Sequence, residues 1–200
     1  MIVRAVVLAL LLAVALAVPN AAQQQARTRE PDVVFVPTPS DIVDAMLTIA
    51  RVGSSDLVYD LGSGDGRILI AAAKMYGAHG VGIDIDPERV REATANARAN
   101  NVADKVTFRQ EDLFTADISP ATVVMLYLSP SVNSRLVPKL MKDLKPGTRI
   151  VSHAFDLGSW KPQQQVTVSG RPIFLWTVAP PSIRRDSQLP TSNSQLPKKH

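Results

Sequence analysis

The stretch that decides the fold reads Val58-Tyr59-Asp60-Leu61-Gly62-Ser63-Gly64-Asp65-Gly66-Arg67. A short apolar strand is predicted over residues 57–61, and three glycines follow it at alternate positions. Glycine adopts positive φ freely and leaves the main chain bare where a ligand must approach it. The dinucleotide fingerprint requires a small residue at position 67, which is arginine, and the Gly-Lys-Ser/Thr of a phosphate loop is absent. Asp60 and Asp65 would also repel a pyrophosphate, so the loop indicates a ligand with a cationic part.

Strand and helix patterns alternate around this loop. Strands are predicted at 57–61, 80–85, 105–110, 122–128 and 149–155, helices at 40–51, 67–76, 87–100 and 135–145, and a closing hairpin at 166–168 and 173–178. Ser40 and Asp86 are expected to cap their helices, and Pro138 to begin or kink the last helix. Strands separated by helices of this length predict an α/β fold, with a parallel sheet covered by helices on both faces.

Two further acids follow neighbouring strands of this sheet. Asp84 ends the second strand and Asp112 comes just after the third. Right-handed crossovers place the loops after parallel strands on one edge, where ligands of such sheets bind. A carboxylate at position 84 can accept both hydroxyls of a ribose, a kind of bond worth roughly 1.5–3 kcal/mol. Asp112 can accept from an adenine amino group, with Leu113 or Phe114 against the ring. Taken singly, the glycines could form a tight turn, Asp84 could cap a helix and Asp112 could be a solvated loop acid. Their ordered placement at three strand ends favours a ligand.

The motifs resemble those of a known class of enzymes. Asp60 to Gly66, Gly82-Ile-Asp-Ile-Asp86 and Glu111-Asp-Leu113 resemble the first three motifs of class I S-adenosylmethionine-dependent methyltransferases. More narrowly, Phe35-Val-Pro-Thr-Pro39, Leu126-Tyr-Leu-Ser-Pro130 and Val151-Ser-His-Ala-Phe155 with Trp160 look like the protein-lysine methyltransferases of the ATP synthase c subunit and the adenine nucleotide translocase. The resemblance covers about residues 33–178. It implies a Rossmann-like, mostly parallel sheet of seven strands whose last strand is antiparallel.

The same resemblance implies S-adenosyl-L-methionine as the cofactor and a set of residues that bind it. Asp60 and the glycine loop would line its methionine part, Asp84 would bind the ribose, and Asp112 would bind the adenine. Thr38 would close over the cofactor, although Pro37 and Pro39 alone would also make a rigid entry strap. The implied cofactor-binding residues are Thr38, Asp60, Gly62, Ser63, Gly64, Gly66, Asp84, Ile85, Asp112 and Leu113.

Methyl transfer is an in-line displacement that needs alignment more than acid or base groups, and alignment can supply about 7–11 kcal/mol. We therefore expect neither a catalytic triad nor a metal. A lysine acceptor must lose its proton, which burial beside an aromatic wall favours. Tyr127, His153 and Trp160 are predicted on the acceptor side, with core packing as the alternative for each. The fourth strand ends without the Asn/Asp-Pro-Pro-aromatic sequence of enzymes that methylate amide or base nitrogens, so nucleic-acid acceptors are disfavoured.

Charge and the two ends of the chain define the predicted domains. The net charge is +4, but residues 23–183 are neutral, which gives no support for nucleic-acid binding. Residues 1–22 are predicted to be a signal peptide or membrane anchor, with membrane association through residues 2–18. Residues 23–32 form a predicted linker, 33–181 the methyltransferase domain, and 182–200 a disordered tail. The leader predicts an exported or anchored protein, whereas the cofactor is expected in the cytoplasm, so catalysis facing the cytoplasm stays open.

The sequence thus predicts a methyltransferase that acts on a protein lysine. The protein that carries this lysine could be a membrane protein. The alternative from another class is a non-catalytic exported module that binds a nucleoside. An NAD-dependent oxidoreductase fails on the glycine spacing and on its missing catalytic residues.

Overall fold

The structure is a computed structural model, and it describes residues 30–180. The predicted leader, most of the predicted linker and the predicted tail lie outside these residues. The helices are α1 (Ser40–Ile49), α2 (Arg67–Tyr76), α3 (Pro87–Ala99) and α4 (Pro130–Asp143). The strands are β1 (Leu57–Leu61), β2 (His79–Asp84), β3 (Val106–Gln110), β4 (Val123–Leu126), β5 (Arg149–His153), β6 (Gln164–Val168) and β7 (Arg171–Thr177).

The strands form one seven-stranded sheet in the order β3-β2-β1-β4-β5-β7-β6. β3, β2, β1, β4 and β5 are parallel, and β7 is antiparallel to both β5 and β6. The hairpin turns at Ser169 and Gly170, whose φ angles of 48° and 74° fit a two-residue turn with both central residues left-handed. The predicted seven-stranded, mostly parallel fold is therefore confirmed. The order reverses between β1 and β4, which places the expected ligand site above these two strands.

Helices cover both faces of the sheet. On one face, α1 and α2 bury Ile42, Met46 and Leu69 against Val58 and Val151. On the other face, α4 buries an apolar stripe of Val132, Leu136 and Leu140 against the alternate strand residues. The two-residue period of the strands supplies both cores, because neighbouring residues point to opposite faces.

The sequence prediction was wrong at the start of α4. This helix begins at Pro130, with the Ser129 side chain accepting a hydrogen bond from Val132 N at 3.4 Å, so Pro138 lies inside it. Two prolines could each have marked a first helical turn, and the serine cap decides in favour of the earlier one. Ser40 is not a cap either, because it is the first helical residue and Pro39 precedes it. Asp86 caps α3 as predicted, accepting from Glu88 N at 2.8 Å.

None of the helices in residues 30–180 combines the length and apolar character needed to cross a membrane. His79, the other histidine of this part of the chain besides His153, is exposed at the start of β2.

Candidate active site

A cleft opens at the carboxyl ends of β1, β2, β3 and β4, with an empty volume of about 920 Å³ that is partly open to solvent. Of the residues predicted from the sequence, the cleft is lined by Thr38, Asp60, Gly62, Ser63, Asp84, Ile85, Asp112, Leu113 and Tyr127. The structure therefore brings together most of the predicted site, although these residues are spread over 90 positions of the chain.

The glycine loop is held in shape by main-chain hydrogen bonds, two of them to β2 and one within the loop. Gly62 N and Ser63 N donate to Ile83 O at 2.8 and 3.1 Å, and Gly66 N donates to Ser63 O at 2.9 Å. These N–H groups are consequently engaged within the protein, whereas a phosphate-binding loop would aim them at its ligand. The structure thus supports the expectation that the loop does not bind a pyrophosphate.

The three glycines of the loop have positive φ, but they serve different purposes. Only Gly62 lines the cleft. A Cβ at Gly64 would overlap the Phe35 ring, and one at Gly66 would lie 2.5 Å from the Phe108 ring. Gly64 and Gly66, both predicted to bind the cofactor, therefore lie where side chains of the protein pack closely on the loop.

Asp84 is fixed by two main-chain donors. Gly64 N donates to Oδ2 at 2.9 Å and Asp86 N donates to Oδ1 at 3.0 Å, so each oxygen has one donor and keeps lone pairs for a ligand. Burial raises the pKa of Asp84, and the two N–H groups partly oppose that shift. The carboxyl group therefore has a defined orientation at the mouth of the cleft before any ligand arrives.

Asp60 has a different environment. Its residue surface is 2% exposed, and no hydrogen-bond donor in residues 30–180 reaches its carboxyl group. Burial raises the pKa of Asp60 well above its ordinary value, and the nearby Asp84 and Asp65 raise it further. A carboxyl group in such surroundings binds a proton or needs a cation.

Asp112 and Leu113 lie beyond β3 at the far end of the cleft. Asp112 Oδ1 accepts from Phe114 N at 2.9 Å, which orients the carboxyl group. The Phe114 ring is covered by the Arg135 guanidinium, 4.2 Å from its centroid. Leu113, rather than Phe114, is thus the side chain that can pack on a ring bound in the cleft.

Residues 31–39, which we call the strap, close one side of the cleft. Thr38 O accepts a hydrogen bond from Arg67 Nη1 at 2.9 Å, and Arg67 Nε also binds Asp65 Oδ1 at 2.9 Å. Phe35 covers Gly64, and the Arg89 guanidinium lies 5.0 Å from the centroid of its ring. Of the strap, the sequence analysis assigned only Thr38 to the site. Phe35 stood in the quoted motif without a role, and Arg89 belonged to no motif. Arg67 had a signal, since it stands where a dinucleotide loop would need a small residue.

The three residues predicted on the acceptor side lie in three different environments. Tyr127 lines the cleft, and its ring centroid lies 4.0 Å from that of His153. His153 is fully buried, and neither ring nitrogen has a hydrogen-bond partner within the described residues. Burial and, to a smaller extent, Arg171 lower the pKa of His153, so its imidazole is neutral at pH 7. Trp160 does not line the cleft. It packs against the core that α4 covers, and its carbonyl accepts a hydrogen bond from Trp176 Nε1 at 2.8 Å.

Three comparisons relate the chain to known proteins. Residues 60–164 match the family model of the ANTKMT methyltransferase domain. A protein-lysine N-methyltransferase from Saccharolobus islandicus (strain REY15A) is 49% identical over 139 residues, which are 69% of this chain and 86% of that protein. The Homo sapiens lysine N-methyltransferase of the ATP synthase c subunit is 30% identical over 166 residues, 82% of this chain and 69% of that protein.

A similar crystal structure has also been solved. It is that of an RNA methyltransferase from Salinibacter ruber in complex with S-adenosyl-L-homocysteine, with 56% identity and a TM-score of 0.71. The alignment covers 72% of this chain and 94% of that one.

Proposed function

Because the chain belongs to the ANTKMT methyltransferase family and is an S-adenosylmethionine-dependent methyltransferase, we propose that its methyl acceptor is the side-chain amine of a protein lysine. The proposal concerns the acceptor, and three features of the cleft support it: a fit to the cofactor, a negative charge, and an apolar wall beside Tyr127.

The residues of the cleft fit S-adenosylmethionine. When bound, the cofactor supplies an electrophilic methyl group on a sulfonium. Asp112 and Leu113 would hold its adenine, the doubly anchored Asp84 its ribose, and Asp60 with Gly62 its methionine part. Within the part of the chain that the structure describes, no donor or cation reaches the Asp60 carboxyl group, which suits a ligand that carries positive charge.

The excess of acidic side chains in the cleft is the main observation in favour of a lysine acceptor. Six aspartates line it, whereas its two arginines are engaged with acids, Arg67 with Asp65 and Arg89 with Asp86 and Glu92. Such a surface attracts a cationic lysine and repels the phosphates of a nucleic acid. The aspartates are Asp32, Asp60, Asp65, Asp84, Asp86 and Asp112.

The acceptor amine has to be neutral to attack the methyl group. Tyr127, Leu128 and Val132 give the β4 side of the cleft an aromatic and aliphatic wall. An ammonium group that enters this environment is desolvated, which lowers its pKa and favours the nucleophilic amine. The wall would also direct the amine toward the methyl group, and this alignment is the main catalytic contribution that the chain's own residues supply.

RNA is the second candidate acceptor, because the similar structure from Salinibacter ruber is that of an RNA methyltransferase. Residues 30–180 hold 15 Lys and Arg against 17 Asp and Glu, which is an unfavourable balance for an RNA-binding surface. The names of the relatives from Saccharolobus islandicus and Homo sapiens, together with this charge, favour the protein acceptor.

A labelling experiment separates these acceptors. The protein is incubated with extract of its own cells, soluble and membrane fractions apart, and with cofactor labelled in the methyl group. We expect label that survives ribonuclease, is released by protease, and appears as methyl-lysine after acid hydrolysis. Label removed by ribonuclease would instead establish the RNA acceptor, and no label in any fraction would favour the non-catalytic module. Asp84→Ala is the inactive control and Asp104→Asn, an exposed carboxylate at the other end of the sheet, is the active one.

We also propose that residues 2–18 bring the enzyme to a membrane, which would make a membrane protein its substrate. The support is the sequence pattern alone. Cell fractionation with N-terminal sequencing of the mature protein tests this, since a soluble protein that starts at Met1 would contradict it.

A further inference from the structure

β5 ends in an unusual turn. Phe155 N donates to His153 O at 2.8 Å across a single residue, Ala154, whose φ is 67°. A three-residue turn with a positive φ at its centre is the rarer, strained form of the γ-turn. Within residues 30–180, three other non-glycine residues have positive φ, but each lies just beyond a helix or in the β6–β7 hairpin, where such angles are common. These are Arg51, Asn101 and Ser169. The strained turn at Ala154 therefore needs a different explanation.

A buried amide of α4 holds this turn. Asn133 is fully buried, and its Nδ2 donates to Phe155 O and Asp156 O, both at 3.1 Å. Ser152 Oγ, also fully buried, lies 3.2 Å from the same Nδ2 and donates to Phe155 O at 2.6 Å. Because buried carbonyl groups are costly to leave without donors, loss of the amide would release the turn.

The amide joins two parts of the wall on the acceptor side of the cleft. Val132, which precedes Asn133 in the first turn of α4, lines the cleft together with Tyr127. At the other end of the hydrogen-bonded network, His153 begins the γ-turn and its ring lies against that of Tyr127. Asn133 thus connects the helix that forms one part of the wall with the strand end that supports the other.

The same place holds buried polar atoms that nothing in the described chain satisfies. Neither ring nitrogen of His153 has a hydrogen-bond partner there, and neither has Asn133 Oδ1. Unmatched buried polar atoms and strained backbone both cost stability, and such strain is kept chiefly at functional sites. Apolar side chains and a relaxed turn would serve the core better, so packing alone does not account for this arrangement.

We propose that Asn133 is a positioning residue for methyl transfer. Its amide holds the turn at Ala154, and the turn keeps His153 against Tyr127, so that the acceptor is aligned with the methyl group of the cofactor. Asn133 itself does not line the cleft, and cofactor binding should not depend on it. This role rests on the proposed entry of the acceptor beside Tyr127, and it holds whether the acceptor is lysine or RNA.

Asn133→Leu is the informative variant, because leucine has the branched shape of asparagine but cannot donate a hydrogen bond. The rate is measured as label transferred from S-adenosylmethionine to the extract fraction that the unaltered protein labels, over a dilution series of that fraction. We expect the apparent kcat/KM for the acceptor to fall by about tenfold, while the Kd of S-adenosylhomocysteine from calorimetry stays within about twofold. Asn101→Asp, at an exposed asparagine before β3 at the opposite end of the sheet, is the control.

Ala154→Gly separates positioning from a simple loss of stability. Glycine adopts positive φ without strain, so the turn then needs less support from the amide. Added to Asn133→Leu, this second change should raise the acceptor rate again by at least about threefold. A double variant no faster than Asn133→Leu would overturn the proposal.

The imidazole of His153 provides a measurement that needs no acceptor. The chain has three histidines, and the nearby ring of Tyr127 should set the His153 resonance apart in an NMR spectrum of histidine-labelled protein. His153→Phe assigns that resonance. In Asn133→Leu we expect it to move, and in the double variant to return toward its original position.

An unchanged acceptor rate or an unmoved His153 resonance in folded Asn133→Leu protein would overturn the proposal, as would equal losses of rate and cofactor affinity. If Asn133→Leu does not fold, Ser152→Ala removes only the hydroxyl that bonds Phe155 O. That variant should lower the acceptor rate by about threefold at unchanged cofactor Kd, and an unchanged rate would again overturn the proposal. Label in RNA instead of protein would contradict the lysine acceptor but leave these expectations intact.

Discussion

The imidazole of His153 lies against the phenol ring of Tyr127, with ring centroids 4.0 Å apart and planes inclined by 34°. The two residues come from the ends of adjacent parallel strands, since Leu126 is the register partner of Ser152. Tyr127 faces the cleft and His153 is fully buried behind it. His153 therefore supports the wall of the cleft on the side where the acceptor is expected.

His153→Phe should affect the acceptor and not the cofactor. Phenylalanine keeps a flat ring behind Tyr127 but changes its shape and position, and small misplacements near a reacting pair can cost about 10- to 100-fold in rate. We expect the cofactor Kd from calorimetry to stay within about twofold while kcat/KM for the methyl acceptor falls by about tenfold. A parallel loss of cofactor affinity would contradict this supporting role.

Asp84→Ala should weaken cofactor binding strongly. The variant removes a carboxylate whose orientation is set by Gly64 N and Asp86 N, and charged hydrogen bonds of this kind are worth roughly 1.5–3 kcal/mol. We expect the Kd of S-adenosylhomocysteine to rise by about 10- to 100-fold in calorimetry. Unchanged affinity would remove Asp84 from the binding site. Asp104→Asn serves as the control, because its carboxylate is exposed and lies away from the cleft.

Gly66→Ala should destabilise the fold more than Gly147→Ala. Both glycines have similar left-handed φ angles, 80° and 88°, so an alanine is strained equally at either position. Only at Gly66 would the new Cβ meet another residue, 2.5 Å from the Phe108 ring, whereas it meets nothing within 4 Å at Gly147. We expect a difference of about 1–3 kcal/mol in the free energy of unfolding in urea. Equal losses would show that backbone strain alone accounts for the need for glycine at position 66.

Asp56 should make stability depend on acid pH. Burial raises its pKa, but hydrogen bonds from Thr122 Oγ1 and Gly53 N and the Arg149 guanidinium outweigh burial and lower it below 3.8. Because the folded-state pKa is the lower one, the stabilisation is present above the unfolded-state pKa and is lost as pH falls through the folded-state value.

Asp56→Asn should therefore lower the free energy of unfolding by about 1–3 kcal/mol at pH 7 and by progressively less below about pH 4. Urea unfolding at a series of pH values measures this. A deficit that stays constant down to the lowest pH would show that the charge on Asp56 contributes nothing.

The sequence predicts the alternation of strands and helices, the glycine loop, and the three acids at or just beyond the carboxyl ends of β1, β2 and β3. It also predicts the family and its cofactor. Each of these is a local pattern. Since the carboxyl ends of parallel strands share an edge, a local pattern at each strand end is enough to assemble Asp60, Asp84 and Asp112 in one cleft. The start of α4 was misread because two prolines offered competing starts, and only the Ser129 cap distinguishes them.

The tertiary structure alone decided which contacts individual residues of these motifs make. Gly64 and Gly66 accommodate Phe35 and Phe108, Trp160 belongs to the core, and His153 lies behind Tyr127. The partners in such contacts are far apart in sequence, and side-chain packing between them follows from shape in three dimensions, which no period or spacing along the chain encodes. The sequence thus determined which groups stand at the strand ends, and packing determined that Asp84 and Asp112 receive main-chain donors whereas no donor within residues 30–180 reaches the Asp60 carboxyl group.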